Sequence, residues 1–133
     1  MKQLVFVYGT LKSGYGNNRI LASSKLLGEA TTLESFLLTD TGFPYLIPQD
    51  ALTDAESVTV APVRGELWEV TSEDVMASLD SLEGVRYDHY RHLEVDVRMA
   101  DGDYTALAYA CYNEGAQELR VCPIIVGEYV WGV

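Results

Sequence analysis

Residues 93–112 read LEVDVRMADGDYTALAYACY, and the periodicity of this stretch decides the fold class. Leu93, Val95, Val97 and Met99 alternate with Glu94, Asp96 and Arg98. Successive side chains of a strand point to opposite faces, so the pattern predicts a half-buried strand. Asp101-Gly102 supplies a hairpin turn, because glycine reaches the positive φ such turns need. Residues 104–112 return as a second strand, with Ala106, Ala108 and Ala110 on one face. Small side chains in a row leave room for a cavity or for close packing.

Further strands lie upstream. Residues 3–8 (QLVFVY) are rich in Val and aromatics and stop at Gly9, as a buried strand does. Residues 10–16 read as a loop, and Asn17 or Asn18 is placed to cap a short helix over 19–24. Strand-like pieces follow at 25–31 and 33–38, with a turn signal at Thr39-Asp40-Thr41-Gly42. Residues 42–48 (GFPYLIP) carry two prolines around apolar residues, which predicts an ordered crossing rather than a regular strand. Residues 49–56 read as a solvated loop, and 58–60 and 63–70 as strands around Pro62. Residues 71–82 make the strongest helix. Thr71 is the expected cap, Glu73 and Asp74 suit the positive end of the dipole, and Val75, Met76, Leu79 and Leu82 form one stripe. Gly84 stops it, and the apolar tail 129–131 should dock on the body. Many strands with two short helices predict an α+β domain built on a small mixed β-barrel.

The bulk properties agree with one domain over residues 1–133, long enough to bury a core without disulfides or metal. The formal charge of −11 repels phosphate backbones and anionic membranes, so nucleic acid and membrane surfaces are not expected partners. Cys111 and Cys122 form neither a CxxC pair nor a zinc spacing. The apolar run at residues 4–7 is too short for a signal-peptide core, and no run approaches a membrane span. A reduced, cytoplasmic protein is the expectation; oligomeric state is not encoded in any pattern here.

Several residues carry possible chemistry. Gly9 and Gly14 have phosphate-loop spacing, but Tyr15-Gly16 stands where lysine is required. The glycines still allow backbone N–H groups to turn toward a carboxylate or oxyanion, or simply allow a tight turn. Glu83, beside the helical stripe, is either drawn toward the core with its pKa raised, or exposed at a helix end. Asp80 competes with it on the same helix, and Glu66 and Glu69 flank Leu67-Trp68. His89 and His92, with Asp88, lack a third ligand at a useful spacing, so no metal is expected. Cys111 sits in an apolar strand, which favours an inert thiol over a nucleophile.

In combination these pieces form a pattern. Val7-Tyr8-Gly9-Thr10-Leu11-Lys12-x-Gly14 with Asn17 or Asn18 after it, then Gly42-Phe43-Pro44-Tyr45-Leu46, Gly65-Glu66-Leu67-Trp68-Glu69-Val70, Leu79-Asp80-x-Leu82-Glu83-Gly84 and Tyr90-Arg91 occur in order. The sequence resembles the gamma-glutamylcyclotransferase-like family, which includes gamma-glutamylamine cyclotransferases and plant avirulence-induced proteins. The resemblance implies a small mixed β-barrel with short helices and a small-molecule gamma-glutamyl substrate. It implies that Tyr8, Gly9, Thr10 and Leu11 bind the glutamyl group, that Glu83 is the catalytic carboxylate, and that the Tyr90 hydroxyl assists. The implied reaction closes the glutamyl group to 5-oxoproline and releases the amine, with no metal or redox cofactor. A non-catalytic module binding the same class of ligand is the alternative.

Overall fold

The alternating stretch forms the longest strand pair of the molecule. In a computed structural model that describes residues 1–84 and 90–132, Arg91–Met99 and Gly102–Ala110 run antiparallel, Leu93 opposite Ala108 and Val97 opposite Tyr104. The strands in chain order are β1 (Gln3–Val7), β2 (Lys25–Thr32), β3 (Leu37–Asp40), β4 (Pro44–Ile47), β5 (Arg64–Val70), β6 (Arg91–Met99), β7 (Gly102–Ala110), β8 (Arg120–Val121), β9 (Ile124–Ile125) and β10 (Glu128–Tyr129); the α-helix is α1 (Glu73–Leu82). Five of them close a barrel in the order β1-β5-β2-β6-β7. β1 seals it, antiparallel to β5 with Val5 opposite Trp68, and parallel to β7 with Val5 opposite Leu107. The barrel is therefore mixed, as expected. Val5, Leu67, Val97 and Ala108 are fully buried.

The second sheet, β4-β3-β8, corrects the reading of residues 42–48. Residues 44–47 are a regular strand, with Leu46 opposite Leu38 and Pro44 opposite Asp40. Both prolines are compatible because β4 is an edge strand: Pro44 is its first residue and Pro48 lies just past its last, so no ladder bond is lost. The Leu46 carbonyl then accepts the Cys111 N–H at 2.8 Å, tying this sheet to the end of β7.

Other local expectations shift for identifiable reasons. The first helix is a 3-10 turn over Gly16–Leu21 with Tyr15 at its N-cap. Asn17 and Asn18 lie inside it and reach backward, their amides donating to Thr10 Oγ1 and to the Leu11 carbonyl, each at 2.8 Å. The cap of α1 is Ser72 rather than Thr71; its Oγ accepts from Val75 N at 3.4 Å. Of the stripe, only Leu79 is fully buried, and Leu82 is exposed. Residues 49–51 form a short 3-10 turn, residues 58–60 join no strand, and residues 33–36 precede β3 with only a bridge from Phe36 to Ala61. Ala106, Ala108 and Ala110 are buried, and none of them lines the cavity described below, so the small face serves close packing. The tail docks as expected: Tyr129 is fully buried, its N–H on the Pro62 carbonyl at 2.8 Å and its hydroxyl on the Thr59 carbonyl at 2.5 Å. No described helix is long and apolar enough to cross a membrane.

Candidate active site

The site grows from the end of β1. Tyr8 is buried, and its hydroxyl donates to the Tyr109 carbonyl at 2.5 Å, pinning the strand end to β7. The chain then passes Pro44 so closely that a Cβ on Gly9 would lie 2.5 Å from the proline Cγ; only glycine fits. Beyond it the backbone turns. Lys12 N–H bonds the Gly9 carbonyl at 3.0 Å and Asn17 N–H bonds the Thr10 carbonyl at 3.2 Å. The carbonyls of the turn are thus used, while the N–H groups of Gly9, Thr10 and Leu11 meet no acceptor among the described residues. Successive N–H groups left open on a turn form a concavity suited to an anion.

The loop is held from behind. Glu66 Oε1 accepts Ser13 N–H at 2.8 Å and is 3.3 Å from Trp68 Nε1. Lys12 Nζ donates to the Trp131 carbonyl at 2.8 Å, and the Tyr15 ring packs on Trp131 at 5.1 Å. Glu66 is therefore a brace for the loop, and Glu69 pairs with Lys2 at 3.6 Å; neither lines the cavity.

The end of α1 lines the same cavity as the loop. Glu83 is its C-cap, its N–H bonded to the Leu79 carbonyl at 3.0 Å. Gly84 follows in the left-handed region at φ 66°, which ends the helix at Glu83. Glu83 and residues 8–11 line one cavity of about 320 Å³. Burial disfavours the ionised form, so the Glu83 carboxyl is pushed up to about 7 from an ordinary 4.5. Of the two readings the sequence left open for Glu83, the geometry favours the desolvated one.

Tyr90 lines the same cavity, but its hydroxyl proton is committed: it donates to the Pro44 carbonyl at 2.7 Å, and its ring stacks on Tyr45 at 5.7 Å and 6°. Burial, with the Glu83 charge nearby, raises its pKa further, so it stays a neutral phenol. Its evident work is to fix β4 beside the loop. Phe43 and Leu82 stand at the mouth, 51% and 41% exposed. Residues 42–48 thus reach the cavity through Phe43 and Pro44, whereas the tail lies behind the loop and lines no part of it.

Two lining residues were given no part in the site from the sequence. Asn17 is read as a helix cap until the loop is seen folded over it. Tyr109 is one aromatic in an alternating strand, and only the placement of α1 against β7 reveals it. Its hydroxyl donates to Asp80 Oδ1 at 2.6 Å, and the same oxygen lies 2.7 Å from His92 Nε2. Asp80, weighed against Glu83 from sequence, does not line the cavity.

Asp88 and His89 lie outside the described residues. Among those described, no group of three His, Cys, Asp or Glu side chains converges as a metal site would. Cys111 and Cys122 are both buried and form no disulfide. Burial and the Asp40 carboxylate push the Cys122 thiol up to about 12, and Cys111 does not reach the cavity.

Comparison with known proteins adds to this geometry. A family model described as gamma-glutamyl cyclotransferase, AIG2-like, matches residues 5–130. A Vibrio cholerae protein provisionally named a gamma-glutamylcyclotransferase is 37% identical over 92 residues, 68% of this chain and 70% of that one. The gamma-L-glutamyl-butirosin B gamma-glutamyl cyclotransferase of Niallia circulans is 27% identical over 122 residues, 87% of this chain and 71% of that one. The crystal structure of an AIG2-like protein from Mus musculus superposes with a TM-score of 0.72 at 23% identity, covering 90% of this chain and 85% of that one, a likeness of fold.

Proposed function

The chain belongs to the AIG2-like gamma-glutamyl cyclotransferase family, and from that membership we propose that it cleaves a gamma-glutamyl amide to 5-oxoproline and a free amine, with Glu83 as acid and base. Family membership makes it an enzyme of the gamma-glutamylcyclotransferase type. The observation that supports the residue assignment is that one desolvated carboxyl, Glu83, lines the same cavity as residues 9–11 with their open amides.

The chemistry follows from that placement. The substrate presents an α-ammonium, an α-carboxylate and a γ-amide. The carboxylate of Glu83 takes a proton from the ammonium. The freed amine attacks the γ-carbonyl carbon, forming the ring C–N bond. The amide C–N bond then breaks as protonated Glu83 gives its proton to the departing nitrogen; the regenerated carboxylate takes the second proton from the ring nitrogen and passes it to the released amine, which leaves as an ammonium. Protons balance without water, metal or redox partner. An α-amino group titrates near 7.8, so a carboxyl at about 7 lies within about 1 kcal/mol of matching it, where an ordinary glutamate would be about 5 kcal/mol short. Such matching is what effective acid–base catalysis needs. The amides of Gly9, Thr10 and Leu11 hold the α-carboxylate or the oxyanion that develops on the γ-carbonyl, where one well-placed donor supplies about 3 kcal/mol. Ring closure is intramolecular, so a substrate held folded gains up to about 7–11 kcal/mol from orientation.

The test is a panel of gamma-glutamyl compounds (amines, an ε-lysine isopeptide, glutathione) incubated in ¹⁸O-labelled water. We expect unlabelled 5-oxoproline from at least one, with equimolar amine. Labelled glutamate in its place, abolished by Cys111→Ala, would establish a hydrolase instead. No product from any member, with binding retained, would leave a ligand-binding module.

A further inference from the structure

The Asp80–Tyr109 pair has no part in the acid–base role of Glu83, yet it ends in the same cavity. Asp80 lies one helical turn before Glu83, so both carboxyls leave one side of α1. Between Asp80 and the cavity stands Tyr109, itself buried on β7. A carboxylate offers only acceptors, so in the 2.6 Å contact the phenol is the donor and Asp80 the acceptor. His92 grips the same Asp80 oxygen at 2.7 Å, and its ring meets the Tyr109 ring edge-on at 5.3 Å. The carboxylate is thus held from two sides and the phenolic proton has one direction. What the Tyr109 oxygen has left is its lone pairs, and it has no second partner among the described residues.

We propose that Tyr109 is a second acceptor for the substrate's α-ammonium beside Glu83, and that Asp80 is the positioning residue that keeps the Tyr109 hydroxyl turned away from the substrate. This rests on the cyclotransferase reading of the cavity. An ammonium has three N–H groups, and Glu83 alone cannot both remove one and fix the rest. With a second N–H on Tyr109, the nitrogen keeps its place after its proton has gone, and its new lone pair is free for the γ-carbonyl. Asp80 makes this a directed contact. Without its charge the phenol is free to rotate and to point its proton at a cation.

The experiment uses Tyr109→Phe and Asp80→Asn in the whole protein, with two readings. One is kcat/KM for 5-oxoproline formation from a gamma-glutamyl amine. The other is the inhibition constant of glutaric acid monoamide, which keeps the carboxylate and the amide but lacks the α-amino group. The proposal predicts that each variant loses about 10- to 100-fold in kcat/KM and shifts the inhibition constant less than about 2-fold. The double variant should be no worse than Asp80→Asn alone, because the two residues act as one unit. Unchanged kcat/KM in a Glu83-dependent enzyme overturns this inference and leaves the cyclotransferase reading intact. Equal loss in both readings also overturns it, since that is a packing effect. Silence of the unaltered protein overturns both. Should Tyr109→Phe not fold, Asp80→Asn carries the same two readings by itself.

Discussion

At the residue scale, the role proposed for Glu83 sets activity against stability. Its carboxyl titrates near 7 in the folded chain and near 4.5 when exposed. Below about 4.5 both states are protonated and burial carries no ionic penalty. Between 4.5 and 7 the unfolded chain loses its proton first, so stability falls as pH rises. Above 7 the full effect is present, about 3 kcal/mol at 1.4 kcal/mol per pH unit. Glu83→Gln should therefore raise resistance to urea at pH 8 by up to about 3 kcal/mol, and much less at pH 5. Equal gains at both pH values would mean that the carboxyl is not desolvated. In the same account, kcat/KM of the unaltered enzyme rises through pH 7 as the base ionises. Spacing alone left Glu83 open between a desolvated and an exposed carboxylate, with Asp80 as competitor, and only the resemblance singled it out. Tyr109 was not legible, since nothing in an alternating strand says that one of its aromatics will meet a carboxylate from a helix distant in sequence.

At the element scale, the site depends on how near β4 comes to the loop after β1. Gly9 and Pro44 touch, and the Tyr90 hydroxyl holds the Pro44 carbonyl from the other side. Gly9→Ala would force its Cβ against a rigid proline ring and should destabilise the chain by about 1–3 kcal/mol, measured by urea unfolding. Turnover should fall more than stability accounts for, because the displaced backbone carries the N–H groups of residues 9–11. A variant of unchanged stability and activity would show that the approach is looser than described. The hairpin β6–β7 was legible because its period is unbroken and its turn is glycine-bearing. β4 was not, because two prolines in seven residues argue against a strand until its edge position is known, with one ring at its first residue and the other past its end. The cap of α1 slipped by one residue for a similar reason: Thr71 and Ser72 are both competent, and the path of the chain leaving β5 selects Ser72.

At the scale of the whole molecule, a mixed barrel presents two chain segments, far apart in sequence, to one cavity: the loop after its first strand and the end of its helix. The closure that allows this, β1 parallel to β7, joins the two ends of the barrel's strand sequence, and no local pattern announces it. The tail backs the loop through Lys12 and Tyr15 and is itself fastened by Tyr129. Tyr129→Phe leaves the Thr59 carbonyl without its donor and should lower unfolding stability by about 1–3 kcal/mol while the cavity residues stay in place. A loss of activity far beyond that of stability would mean that the tail does more than brace. The central claim is that Glu83 carries the proton in ring closure, and its most direct test is the initial rate of 5-oxoproline release by the unaltered protein and by Glu83→Gln at pH 8. A proton carrier at this position requires a loss of about 10²- to 10⁴-fold in a variant that melts no lower than its parent; equal rates would contradict it.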